Sequence, residues 1–110
     1  MPSENIQERV ARNEAIFREA NEGIERGLWP EQRHDEILFR CECALLGCSE
    51  PVAVTVADYE RVRRHPRRFI VRIGHELPDV ETVVERTKKW LVVEKRGRSG
   101  ELAAELDPRS

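Results

Sequence analysis

Cys41, Cys43 and Cys48 are the only cysteines of the chain, and they fall within the eight-residue run Cys41-Glu42-Cys43-Ala44-Leu45-Leu46-Gly47-Cys48. Residues two apart on an extended segment point to the same face, so Cys41 and Cys43 present their thiols together. A short return through Gly47 brings Cys48 back beside them. An odd number of clustered thiols reads as a metal or redox site rather than a disulfide framework. Structural zinc takes four ligands in a tetrahedron, and three cysteines with one histidine form a common set. The expected cofactor is therefore a structural zinc held by Cys41, Cys43, Cys48 and His75. His75 is preferred because it follows Gly74 in a turn at the end of a predicted strand. His34 lies in a polar linker, and His65 precedes Pro66 in a basic run. Other readings stay open at this point. They are three buried free thiols, a reversible disulfide, an iron–sulfur cluster short of a fourth cysteine, and a catalytic zinc with Glu42 or Glu76 as base. A nucleophilic pair of Cys48 and His75 is a further one.

The rest of the chain reads as α+β. Residues 4–28 predict one long helix, capped by Ser3 and ended by Gly27 and Pro30. Ile6, Val10, Asn13, Phe17, Ala20 and Ile24 form a heptad-like seam along it, expected either to pack on the domain's own sheet or to meet a partner helix. Glu8–Arg12, Glu14–Arg18 and Glu22–Arg26 have the spacing of surface ion pairs. Residues 31–36 read as a polar linker. Strands are expected at 37–41, 51–55, 68–73, 80–86 and 90–95, in one small mixed or antiparallel sheet. Thr55 and Asp58 have the form of a capping box for a short helix over 56–65, which Pro66 ends. The organisation expected is an amphipathic helix in 1–30, a small domain with the cysteine knuckle in 31–96 and a mobile tail in 97–110, with a helical turn at 101–106.

With 110 residues, the chain has one modest core, and 36% of its residues are charged, against an average of about 25%. A metal staple suits such a domain. Residues 1–50 carry 6 arginines against 11 acidic residues, whereas residues 51–75 carry 6 arginines against 2. Arg61, Arg63, Arg64, Arg67, Arg68 and Arg72 make up that basic stretch. They read either as a phosphate-contacting patch for nucleic acid or as charges neutralised within the fold. The N-terminus lacks a basic segment followed by an apolar run, so no signal peptide is expected. No stretch approaches the roughly 20 apolar residues that span a bilayer, and the expected address is the cytoplasm.

The order Phe39-x-Cys41-Glu42-Cys43-x4-Cys48, Thr55-x3-Tyr59-Glu60-x-Val62-Arg63, Pro66-x2-Phe69, Gly74-His75-Glu76, Val84-Glu85-Arg86 and Val92-Val93-Glu94-Lys95 resembles that of a group of small uncharacterised actinobacterial proteins. Arg12-Asn13-Glu14-x2-Phe17-Arg18-x2-Asn21 resembles theirs as well. The resemblance covers most of residues 8–95 and implies no activity. The knuckle interior of such proteins is polar and acidic, where this chain has Ala44-Leu45-Leu46-Gly47.

Together these features predict a non-enzymatic, zinc-stapled binding or regulatory module. Its partner would be a protein, or a second copy, met through the N-terminal helix or the arginine surface. A thiol redox or metal sensor, a nucleic-acid binder using Arg61 to Arg72, and a metalloenzyme are the alternatives.

Overall fold

A computed structural model of the chain describes residues 6–43, 45, 48 and 50–109. Ser3 and Gly47, expected to cap the first helix and to turn the knuckle, lie outside the described residues. The fold is α+β. Helix α1 (Ile6–Arg26) leads through a 3-10 turn to strand β1 (Glu36–Arg40). The knuckle connects it to β2 (Pro51–Thr55), which runs directly into α2 (Val56–Arg63). Strand β3 (Arg68–Val71), the hairpin of β4 (Glu81–Arg86) and β5 (Leu91–Lys95), and α3 (Gly97–Glu105) complete the order.

The five strands form two antiparallel sheets instead of the single sheet expected. One is β1–β2 and the other is β3–β5–β4. The reason lies just after β1. Cys41 N donates to Glu50 O at 2.9 Å, prolonging the first ladder, and Glu42 N donates to Ile70 O at 2.8 Å. The knuckle chain thus occupies the free edge of β3, where a further strand would otherwise pair. Phe39, Val52, Val54, Tyr59, Val62, Phe69, Ile70 and Val71 form the core between the sheets, with Trp90 to Val93. The Phe39 and Tyr59 rings stack 4.3 Å apart.

Local chemistry explains the element ends. Thr55 Oγ1 accepts from Asp58 N at 3.1 Å and opens α2, as a side-chain cap should. Thr87 Oγ1 accepts from both Lys89 N and Trp90 N and holds the β4–β5 turn. A register shift between Val83 and Glu85 leaves Val84 exposed.

Helix α1 does not bury the face its apolar spacing predicts. The residues turned inward are Ala11, Glu14, Arg18, Asn21, Glu22 and Glu25. The seam of Val10, Asn13, Phe17, Ala20 and Ile24 lies to one side and is half-buried, while Ile6 is exposed. The inward face prevails because it carries partners for groups no apolar side chain can satisfy. Arg18 donates to Pro66 O at 2.7 Å, Arg68 O at 2.6 Å and Ala103 O at 3.3 Å. Its guanidinium also lies 3.6 Å over the Phe69 ring, a favourable cation–aromatic contact. Glu14 pairs with the buried Lys95 at 2.7 Å, and Glu81 meets the same ammonium. Burial pushes the Glu14 carboxyl up to about 7, against the pull of Lys95. Two of the surface pairs expected along α1 are accordingly replaced by long-range ones. Glu14 meets Lys95, Glu22 meets Arg63 and Arg109, and Arg26 turns to Glu19.

The expected mobile tail is instead a packed segment. Leu102 and Ala103 of α3 are buried, and Gly100 has no room for a side chain, since an added Cβ would lie 2.7 Å from Lys95 O. Beyond α3, Asp107 receives Arg63 at 2.6 Å and lies 3.8 Å from Arg18, with all three side chains buried. Arg109 bridges Glu22 and Glu60, both at 2.7 Å. Removing one partner of a buried ion pair typically costs roughly 3–5 kcal/mol. Asp107→Ala is therefore expected to lower unfolding stability by an amount of that order in urea titration. An unchanged midpoint would contradict a docked C-terminus.

Candidate metal centre

The centre begins with Glu42, at the middle of the extended run that follows β1. Its carboxylate is fully buried. Oε2 accepts from Asn21 Nδ2 at 2.8 Å and from Tyr59 OH at 2.7 Å, and Oε1 accepts from Ile70 N at 3.1 Å. Asn21 also clamps Arg40, accepting its N–H at 2.7 Å and donating to its carbonyl at 3.0 Å. Alternation along an extended chain then directs Cys41 and Cys43 away from Glu42, to the opposite side.

His75 arrives from the β3–β4 connection. Its backbone N donates to Arg72 O at 3.0 Å. Gly74 precedes it with φ of 93°, a left-handed conformation that favours glycine. Glu76 Oε1 accepts the Gly74 N–H at 2.8 Å. This turn places His75 Nδ1 3.5 Å from Cys41 Sγ and 3.5 Å from Cys48 Sγ. The donor atoms of Cys41, Cys43, Cys48 and His75 all lie within 4.8 Å of one another, and the group could hold a metal ion. Cys41 and Cys43 are buried, whereas Cys48 and His75 are half-buried. Arg72 N donates to Cys41 Sγ at 3.2 Å, a contact that would support that sulfur as a metal ligand.

The three sulfurs share protons unequally. Hydrogen bonding from Cys41 pulls the Cys43 thiol down to about 5. Cys41 is pushed far up by that same hydrogen bond and by burial, and Cys48 is raised by burial.

The structure thus brings together residues from the knuckle and from a turn 27 to 34 positions further on. His34 and His65 are exposed. Glu42 is held in the core and offers no base toward the cluster. Its role, and that of Asn21, was not read from the sequence. The available signal was a carboxylate between two same-facing cysteines, which alternation turns toward the interior.

The arginine stretch does not form one free basic surface. Arg63 is buried on Glu22 and Asp107. Arg61 makes a fork with Glu85 at 2.7 and 3.0 Å, Arg68 pairs with Glu94 at 3.0 Å, and Arg72 lies 3.7 Å from Glu50. Arg64 and Arg67 are exposed. Among the described residues, no helix is long and apolar enough to cross a membrane.

No family model, curated protein or solved structure matches the chain.

Metal ligation requires thiolates, so binding releases the protons of any thiol still protonated. With Cys43 ionised near neutrality and Cys41 and Cys48 protonated, metal binding at pH 7 is expected to release about two protons from the thiols. Calorimetry in buffers of different ionisation enthalpy measures that number. Release near zero would contradict the proton distribution.

Proposed function

We propose that the chain is a non-enzymatic binding module stapled by a structural zinc ion at Cys41, Cys43, Cys48 and His75. One observation carries the zinc reading. With Zn–S of about 2.3 Å and Zn–N of about 2.0–2.1 Å, a tetrahedral site has S···N edges of roughly 3.5–3.6 Å. Two of the three edges from His75 Nδ1 to sulfur, those to Cys41 and Cys48, are 3.5 Å. The donor set is also the soft thiolate and imidazole combination that suits zinc.

A bound zinc would supply a crosslink between the knuckle and the β3–β4 turn. Four protein ligands fill a tetrahedron, so this set favours a structural over a catalytic role, which needs an open position. The core-facing Glu42 supports the same reading, because it leaves the cluster without that carboxylate as a base.

For the contact surface, the half-exposed apolar flank of α1 is favoured over the arginines. Four of those six side chains already have carboxylate partners, and such pairing neutralises the field a nucleic acid would follow.

Metal analysis of protein expressed without added metal tests the staple. About one equivalent of zinc is expected in the wild type, with weakened retention against chelator in His75→Ala. Folded, metal-free wild-type protein would overturn it and favour the thiol redox reading.

A further inference from the structure

We infer that the Cys41–Cys43–Cys48–His75 centre is a peroxide-sensitive switch, in which oxidation joins Cys43 to Cys48, releases the metal and frees the β3–β4 turn. This rests on the structural-zinc reading of the same four residues and names its regulation.

Exposure decides which sulfur reacts first. Cys41 and Cys43 are each 1% exposed, whereas Cys48 and His75 are half-buried and leave the centre open on their side. Oxidation of a cysteine follows access to its sulfur. A small neutral hydroperoxide therefore meets Cys48 before the other two.

Backbone geometry selects the partner. The donor atoms of the cluster lie within 4.8 Å of one another, so an S–S bond of about 2.05 Å needs only a small movement of sulfur. Cys41 and Cys43 are two apart on one extended segment, which sets their Cα atoms about 6.6 Å apart. That is near the outer limit of about 6.8 Å for a disulfide. Cys48 lies on the other limb of the knuckle. Arg40 faces Pro51 in the β1–β2 ladder, and Cys41 N donates to Glu50 O at 2.9 Å. The same register carried two residues further sets Cys43 opposite Cys48. Cys48 N donates to Leu45 O at 3.2 Å, closing the turn between the limbs. Facing residues of antiparallel chains have Cα atoms about 4.5–5.5 Å apart, inside the disulfide range.

The chemistry takes two steps. The Cys48 thiolate attacks one peroxide oxygen. An S–O bond forms and the O–O bond breaks, giving a sulfenic acid and hydroxide. The Cys43 thiolate then attacks that sulfur. The S–S bond forms, the S–O bond breaks and a second hydroxide leaves. Two protons from solvent convert both hydroxides to water. The two thiolates have lost two electrons and the peroxide has gained them. Two of the four metal ligands are gone, and a dithiol reductant reverses the change.

The two states differ at the turn and not in the core. Glu42 is held by Asn21, Tyr59 and Ile70, none of which involves sulfur, so the knuckle keeps its base. The disulfide joins the knuckle only to itself. Among the described residues, the other hydrogen bonds of 73–76 stay within 72–76, from His75 N to Arg72 O and from Gly74 N to Glu76 Oε1. His75 alone ties that stretch to the knuckle, at Cys41 and Cys48. Loss of the metal therefore unties it.

The test is hydrogen peroxide added to the zinc-loaded full chain, with a chromophoric chelator reporting released metal. About one zinc per chain is expected to appear as two thiols are lost. Cleavage after Glu42 and Glu50 leaves Cys43 and Cys48 on one peptide and Cys41 on another. After alkylation, Cys41 is expected to be labelled and the 43–50 peptide unlabelled, with its disulfide intact. The Gly74 and His75 amides are expected to exchange hydrogen at least about tenfold faster, while the Ile70 amide keeps its protection. Dithiothreitol with zinc should restore the starting state. Metal retained under peroxide, release without the Cys43–Cys48 bond, or unchanged exchange at His75 would each overturn the switch and leave the staple standing. Protein that holds no zinc before any oxidant is added overturns the staple, and the switch with it.

Discussion

The carboxylate of Glu42 is the constraint on which the rest of the structure depends. A carboxylate wholly removed from water costs several kcal/mol unless donors surround it. Here the donors come from three separate elements: Asn21 of α1, Tyr59 of α2 and the backbone of Ile70 in β3. Displacing any one of them strands the charge, so the packing of the three elements is coupled through a single side chain. The same residue separates Cys41 from Cys43. Fixing Glu42 on one side of the extended segment fixes both thiols on the other, toward His75. The polar anchor and the candidate metal centre are the two faces of one extended segment.

That arrangement belongs to a wider pattern of interior charge. Arg18 caps carbonyls at the α2–β3 turn and in α3, Lys95 sits between Glu14 and Glu81, and Arg63 joins Glu22 to Asp107. Buried ion pairs add little net stability over a well-packed apolar core, because desolvation offsets the attraction. They are demanding about geometry, however, and apart from Glu81–Lys95 within the β4–β5 hairpin each pair here joins elements distant in sequence. A chain with few aromatics and many charges thus has its helix positions set by polar complementarity more than by apolar area. A metal crosslink would then add an unfolded-state constraint and a fixed point near the surface.

How much of this the sequence discloses depends on the kind of residue. Ile37 to Phe39 and Val52 to Val54 announce strands because β-branched and aromatic side chains do so locally. Thr55 announces a cap and Pro66 a stop for equally local reasons. The cysteines and His75 are legible because thiol and imidazole have few other uses in such a pattern. The inward face of α1 is not legible. Arg18 has no evident reason to be buried until Pro66, Arg68 and Ala103 are placed around it, and the apolar spacing of the helix points elsewhere. The C-terminal segment fails for the same reason, since Asp107 and Arg109 are ordinary tail residues until Arg63, Glu22 and Glu60 are in position. The division into two sheets follows from the Glu42 backbone occupying the β3 edge, which no strand propensity foretells.

Glu42 aims the thiols, although it does not touch the donor atoms. Groups that orient ligands from behind typically cost roughly 10–100-fold in metal affinity when altered. The most direct test is the zinc affinity of Glu42→Gln against wild type, measured by competition with a chromophoric chelator at fixed pH. Weakening within that range is expected in protein that remains folded. Wild-type affinity in folded Glu42→Gln would contradict it.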